Sequence, residues 1–280
     1  MKLNVVSIAG GLGNQMFQYS FYLNLKCSLY PKECTEIFIA TYELHNGFEL
    51  DKVFDTKINI FKNLAVGICK KYLKGLVLKK GEASIGTFEE IKFVNKMPIT
   101  YFSGYWQTEK YFLPIEDKIR LAFKFDLKKV NDRTNSLLLE MKPQNAVSIH
   151  IRRGDYEYDL NAKEVLGGIC DMEFYKKSIH YICEKNKDPF FYIFSDDCEW
   201  VMEHFSFLLN SSIVDWNKKA DSWQDMMLMS QCKHNIIANS SFSWWGAWLN
   251  SNPQKIVIAP SKWFNNFDAL DIVPESWIRI

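Results

Sequence analysis

The chain has 280 residues, which fits one large domain or two of roughly 140. Apolar residues make up 48% and charged residues 24%, a globular balance that excludes wholesale disorder. With 34 Lys and Arg against 33 Asp and Glu, the net charge is +1. That balance speaks against a nucleic-acid or other broad polyanion surface, so any phosphate must be met by a few placed groups.

Aromatic residues reach 15%, with nine Trp, enough planar surface for sugar or base sites as well as for a core. The seven cysteines (Cys27, Cys34, Cys69, Cys170, Cys183, Cys198 and Cys232) are odd in number and contain no CxxC pair. A disulfide framework and a structural zinc site are therefore not expected. The first ten residues carry one Lys and an apolar run too short for a signal peptide. No stretch approaches the ~18 uncharged apolar residues of a membrane span. The expected location is the cytoplasm.

In chain order, Val5–Ala9 is a short buried-type strand running into Gly10-Gly11-Leu12-Gly13, and a helix follows from Asn14 to about Leu29. Ile37–Ala40 is a second strand. Phe48–Lys96 shows no clean period. Ile99–Trp106 reads as a strand, and Ile115–Met141 as one long helical pattern. Beyond Lys142-Pro143 the alternation is strongest: Ala146–Ile151 strand, Met172–Lys185 helix, Phe190–Phe194 strand, Cys198–Phe205 helix and Ile213–Val214 strand. Then come a helix over Asp221–Cys232, the strand Asn235–Ala238, a helix over Ser241–Asn250 and the strand Lys255–Ala259. This is an α/β pattern with mainly parallel sheets. The expected architecture is two Rossmann-like domains facing a cleft, over residues 1–143 and 144–280, with the final residues packing back on the first. Ligands are expected at the carboxyl ends of the strands.

His150-Ile151-Arg152-Arg153-Gly154-Asp155-Tyr156 lies where the strand Ala146–Ile151 must end. Two adjacent arginines beside a buried strand end repel each other and are costly to desolvate, so they call for an anionic partner. The guanidinium fork matches phosphate oxygens. The plainer alternative pairs one Arg with Asp155 and leaves the other solvated. Gly10–Gln15 places glycines where backbone can approach a ligand and a helix N-terminus favours anions, or simply makes a tight turn. Its spacing puts Met16 at the third small position of the dinucleotide fingerprint, so a nicotinamide-dependent oxidoreductase is disfavoured.

Asn239-Ser240-Ser241-Phe242 offers a helix cap and free N–H groups for a phosphate, while Trp244, Trp245 and Trp248 read as core. Ser195-Asp196-Asp197 suits a divalent metal, a ribose or base contact, or a helix cap. His45, His180, His204 and His234 lack ligand spacing. Lys70, Lys71, Lys74, Lys79 and Lys80 suit either an anionic membrane surface or a solvated helix face, the latter being favoured.

Taken together, Gly11–Tyr19, Gly104–Phe112, His150–Tyr156, Ser195–Asp197, Gln224–Asn239 and Asn239–Gly246 occur in an order that resembles the bacterial α-1,2-fucosyltransferases of glycosyltransferase family 11. Gly167 departs from the His of many members. The resemblance implies a GT-B-like fold with GDP-β-L-fucose as donor and a galactose-terminated oligosaccharide as acceptor. It implies inverting transfer to O2 and no metal or other cofactor. It places Arg152 on the β-phosphate, with Arg153, Ser240, Ser241 and Phe242 completing the clamp beside Asn239. Gly13 and Asn14 would approach the fucose, and Asp196 or Asp197 the guanosine. Asp155 and His150 are candidates for the base that inversion calls for, or for groups that orient Arg152. The alternatives are transfer of another GDP-linked sugar in surface-polysaccharide synthesis and a non-catalytic glycan-binding protein. Acceptor, oligomeric state and peripheral membrane contact are not fixed by these motifs.

Overall fold

Runs rich in Val, Ile and Phe without alternation suit strands buried on both faces, which is the environment of a parallel sheet. The computed structural model contains two such sheets, and it describes residues 2–40, 46–56, 58, 76–82, 84–91 and 97–280. Each sheet belongs to one compact unit: Met1–Phe125 with Ala269–Pro274, and Asp126–Asp268 with Glu275–Ile280.

The first unit runs β1 (Lys2–Ile8), α1 (Leu12–Leu29), β2 (Glu33–Ile39), α2 (Leu50–Val53), β3 (Val77–Gly81), β4 (Ile99–Ser103) and α3 (Glu116–Ala122). Its strands are parallel in the order β2-β1-β4-β3, with Val6 opposite Ile37 on one side and Phe102 on the other. The chain leaves β1 toward β2 and later lays β3 and β4 on the opposite side, so its winding reverses between β1 and β4. Lys79 and Lys80 lie on β3, not on a helix face; Lys70, Lys71, Lys74 and His45 lie outside the described residues.

The second unit runs α4 (Asp132–Met141), β5 (Asn145–Ile151), α5 (Gly154–Tyr158), α6 (Leu160–Leu166), α7 (Met172–Lys185), β6 (Pro189–Ser195) and α8 (Cys198–His204). It continues with β7 (Ser211–Val214), α9 (Trp223–Gln231), β8 (His234–Ile236), α10 (Ser241–Leu249), β9 (Val257–Ala259) and β10 (Ile278–Arg279). The parallel order is β10-β9-β8-β5-β6-β7. Numbered within the unit this is 6-5-4-1-2-3, the doubly wound order, whose reversal point lies between β5 and β8. Phe174, Tyr175, Ile179 and Ile182 of α7 pack with Val147, Ile149, Phe191, Ile193 and Ile236 into one core. Trp244, Trp245 and Trp248 are buried, as the core reading expects.

Three expectations need correction. Ile115–Met141 is not one helix: α3 ends at Ala122, and α4 starts only at Asp132. Asp126 accepts the Lys128 amide and Asn131 that of Thr134, so two short-side-chain caps break the pattern. The units accordingly divide between Phe125 and Asp126, ahead of the 143/144 boundary. The helix α4 belongs to the second unit because Trp216 Nε1 donates to Thr134 Oγ1 at 2.9 Å and Asn131 Nδ2 to Asn217 Oδ1 at 2.9 Å. The strand expected over Ile99–Trp106 ends at Ser103.

Candidate active site

Parallel strands display side chains at their carboxyl ends, and the reversal point of winding opens a crevice there. In the second unit β5 lies between β6 and β8, so the turns after Ile151, Ser195 and Ile236 stand side by side. They carry Arg152-Arg153, Asp196-Asp197 and Asn239-Ser240-Ser241-Phe242. The structure thus brings together three segments that are 44 and 87 positions apart, counted from Arg152 to Asp196 and to Asn239.

Arg152 is braced from two sides. Its Nε donates to Asp155 Oδ1 at 2.9 Å, Nη2 stands 2.9 Å from the same oxygen, and Nη1 stands 2.9 Å from Asp196 Oδ2. Asp196 Oδ1 also accepts the Arg153 backbone N–H at 2.9 Å. Gly154 has no side chain for a reason: a Cβ there would lie 2.6 Å from Asp196 Oδ2. Arg153 donates from Nε to Asp197 Oδ2 at 3.1 Å, approaches Glu157 at 3.6 Å and lies over the Trp200 ring at 4.2 Å. Repulsion within the Arg pair is therefore relieved by four carboxylates inside the protein, and neither Arg is left merely solvated. The plainer alternative fails on this point, and so does the argument that the pair demands an external anion. What remains is a rigidly aimed pair of half-buried guanidinium groups, suited to receive an anion without reorganisation.

Asp197 does double duty, since its Oδ1 accepts the Trp200 amide and caps α8. Of the readings open for the Asp pair, the helix cap is the one visible for Asp197. Among the described residues no three His, Cys, Asp or Glu side chains gather in a way that could hold a metal. His150 is buried under this layer, its ring 5.8 Å from that of Phe242, and its Nδ1 has no partner among the described residues. Burial pushes its pKa down to about 4, Asp196 working against that shift and Arg152 adding to it. His150 is thus neutral at ordinary pH, and Asp155 spends one oxygen on Arg152.

Asn239 is fully engaged in structure: its Nδ2 donates to the carbonyls of Leu166 and Trp263, at 3.0 and 3.1 Å. Its own carbonyl accepts from Tyr156 Oη at 3.1 Å. Ser240 caps α10, accepting the Phe242 amide at 3.4 Å, and Ser241 and Phe242 form the first turn. A cavity of about 180 Å³ adjoins the Arg pair, lined among others by Tyr156, Glu157, Cys170 and Trp200. The sequence reading missed Tyr156, Glu157 and Trp200 as neighbours of the Arg pair. Only the position of Tyr156 inside the Arg motif signalled one of them. Gly167 sits where a Cβ would meet the carbonyl oxygens of Lys163 and Tyr156 at 2.7 and 2.8 Å, so a side chain there would force the backbone apart.

Gly13 and Asn14 stand on the first unit, at the carboxyl end of β1 in the first turn of α1. Asn14 Oδ1 accepts from Gln107 Nε2 at 2.7 Å, which joins the turn after β1 to the segment after β4.

The profile of Glycosyl transferase family 11 matches residues 1–280. An alpha-1,2-colitosyltransferase of Escherichia coli is 35% identical, over 100% of this chain and 99% of that protein. The Escherichia coli O-antigen biosynthesis glycosyltransferase WbnK is 31% identical over 98% and 99%. Human galactoside alpha-(1,2)-fucosyltransferase 1 is 23% identical over 54% of this chain and 43% of its own. Among solved structures, NodZ alpha-1,6-fucosyltransferase superposes with a TM-score of 0.52 at 12% identity, covering 92% of this chain and 94% of NodZ. Arabidopsis thaliana FUT1 gives 0.51 at 11%, covering 99% and 76%. These likenesses show the fold, α/β and GT-B-like with two Rossmann-like units. A whole-length profile match and two relatives above 30% identity over nearly all of both chains establish the activity class as well: the chain is a glycosyltransferase and belongs to glycosyltransferase family 11.

Proposed function

We propose that this glycosyltransferase moves L-fucose from GDP-β-L-fucose to O2 of a terminal galactoside, with inversion at the anomeric carbon and without a metal. The observation that carries the reading is Arg152, fixed by Asp155 and Asp196 at the reversal point between β5 and β8. Cleavage of the sugar–phosphate bond sends its electron pair to the departing phosphate oxygen, where charge builds. A guanidinium aimed there in advance, with the N–H groups at the start of α10, stabilises that charge. In this reading Arg153 assists on the pyrophosphate, and the cavity beside Trp200 receives part of the nucleoside. Gly13 and Asn14 meet a sugar oxygen on the first unit.

A second donor is favoured by one observation: a relative 35% identical over the whole chain is named a colitosyltransferase. Colitose is fucose lacking the 3-hydroxyl, so the two donors share all the chemistry of the pyrophosphate end. The test is GDP release from GDP-fucose and from GDP-colitose in EDTA, with and without lactose. Lactose-stimulated release from GDP-fucose is expected. Release only from GDP-colitose moves the donor to the second reading, and activity that returns only with added Mg²⁺ or Mn²⁺ overturns metal independence.

A further inference from the structure

Gly104–Thr108, at the carboxyl end of β4, takes no part in the pyrophosphate reading, yet it is the most strained segment described in the first unit. Trp106 has φ +57, a left-handed conformation that costs a bulky residue on the order of 1–3 kcal/mol. Such strain persists only where the surroundings over-determine it. The Trp106 ring lies flat on Phe21, with centroids 4.0 Å apart and planes within 5°, and edge-on to Tyr111. Glu82 Oε2 accepts the backbone N–H groups of Tyr105 and Trp106 at 2.7 and 2.9 Å. Gly104 leaves room for that carboxylate, because a Cβ there would lie 2.7 Å from Glu82 Cβ. On the other side Gln18 accepts from the Ala9 amide and donates to the Gly104 carbonyl.

What this turn delivers is Gln107. Its side chain is only 7% exposed; Nε2 donates to Asn14 Oδ1, and Oε1 is buried with no partner among the described residues. Exchanging oxygen and nitrogen in both amides would keep their mutual bond but leave a buried NH₂ group of Gln107 short of an acceptor. Orphaned N–H donors are rarer than under-used carbonyls, which favours the orientation described. Asn14 is thereby polarised, its carbonyl tied inward and its NH₂ lying over Gly10, where a Cβ would come within 3.1 Å of Nδ2. The absence of a side chain at Gly10 keeps that NH₂ reachable.

We propose that Gln107 is a positioning residue: it holds Asn14 so that the Asn14 N–H groups, and not its carbonyl, meet an oxygen of the sugar substrate. This rests on the reading that the turn after β1 takes part in substrate binding. The test is a mutant cycle on the full chain, read as kcat/KM for GDP release from whichever of GDP-fucose and GDP-colitose is turned over faster. Gln107→Met removes the donor at similar volume and lowers kcat/KM by about 10- to 100-fold, the range for an oriented hydrogen bond to a partner then left unpaired. In an Asn14→Ala background the same change costs less than about two-fold, because coupled residues are not additive. Gln107→Glu supplies a second readout. Its carboxyl donates when protonated and only accepts when ionised, so activity relative to the parent falls as pH rises through the pKa of that group.

Four results overturn the assignment. One is an equal cost of Gln107→Met in both backgrounds; another is a Gln107→Glu profile parallel to the parent's. Both leave the role of the turn standing if Asn14→Ala is itself impaired. Normal turnover by Asn14→Ala, or no GDP release from either donor, removes the substrate reading and this assignment with it.

Discussion

Arg152 combines two jobs that usually compete, being held firmly and keeping N–H groups for a ligand. Its bonds to Asp155 and Asp196 come from opposite edges of the guanidinium, through Nε and Nη2 on one side and Nη1 on the other. Arg152→Ala leaves those two carboxylates uncompensated and removes the charge-stabilising donor. Turnover is expected to fall about 100- to 1,000-fold, the usual cost of one such donor. The half-exposed carboxylates then rehydrate, so the melting temperature changes little; a folded variant with near-normal GDP release would sink the assignment. His150 makes a separate prediction. Its folded pKa lies below that of the unfolded chain, so between about pH 6.5 and pH 4 the unfolded state binds the extra proton. Stability therefore falls as pH drops through that window, by at most ~1.4 kcal/mol per pH unit from this group. Urea unfolding at pH 7, 6 and 5, compared with His150→Leu, isolates the contribution. A parent-minus-variant difference that stays flat with pH contradicts the buried, neutral ring.

At the level of elements, α9 and α10 approach closely because Gly246 faces α9: a Cβ there would stand 2.9 Å from Met229 Cβ. Trp244, Trp245 and Trp248 then fill the volume around that contact, with centroid spacings of 5.0 to 6.2 Å. Gly246→Ala has no far end of a flexible chain to push aside, and a destabilisation of about 1–3 kcal/mol is expected from overpacking. Denaturant unfolding checks it, and an unchanged or raised midpoint refutes the close contact. The same elements show what sequence can and cannot convey. The strands β5 and β6 were legible because a strand buried on both faces reads as a nearly unbroken apolar run, and α7 because it repeats its apolar stripe. The helices α5 and α6 were not legible. Gly154–Leu166 buries no residue fully and is held by local bonds, Asp159 accepting the amides of Asn161 and Ala162. In the candidate site, the Arg and Asp residues announced themselves by charge at strand ends. Gln107 did not, because its meaning lies in a partner 93 positions away.

Across the whole molecule, the last twelve residues serve both units, 269–274 the first and 275–280 the second. In the first unit Asp271 accepts from the Phe88 amide at 2.7 Å and from Lys110 Nζ at 2.6 Å, while Ala269 and Ile272 close over Gly86. Gly86 has φ +72, and its hypothetical Cβ would lie 2.8 Å from Ala269 Cβ, so this strap fits only over a glycine. In the second unit Trp277 is buried 5.4 Å from the Trp244 ring, and Ile278–Arg279 form the edge strand β10 against β9. The two halves of the tail should therefore fail in different places. Asp271→Ala removes the acceptor of two bonds and is expected to cost about 1–3 kcal/mol, read as faster amide hydrogen exchange over residues 84–91. Trp277→Ala opens a cavity beside Trp244 and is expected to cost about 3–5 kcal/mol, read as lost protection in β9, β10 and α10. Asp271→Ala exchange confined to β9 and β10, or Trp277→Ala exchange confined to residues 84–91, would contradict this division of the tail. Deleting residues 269–280 combines both losses, and against a typical stability of about 5–15 kcal/mol it is expected to leave little folded protein.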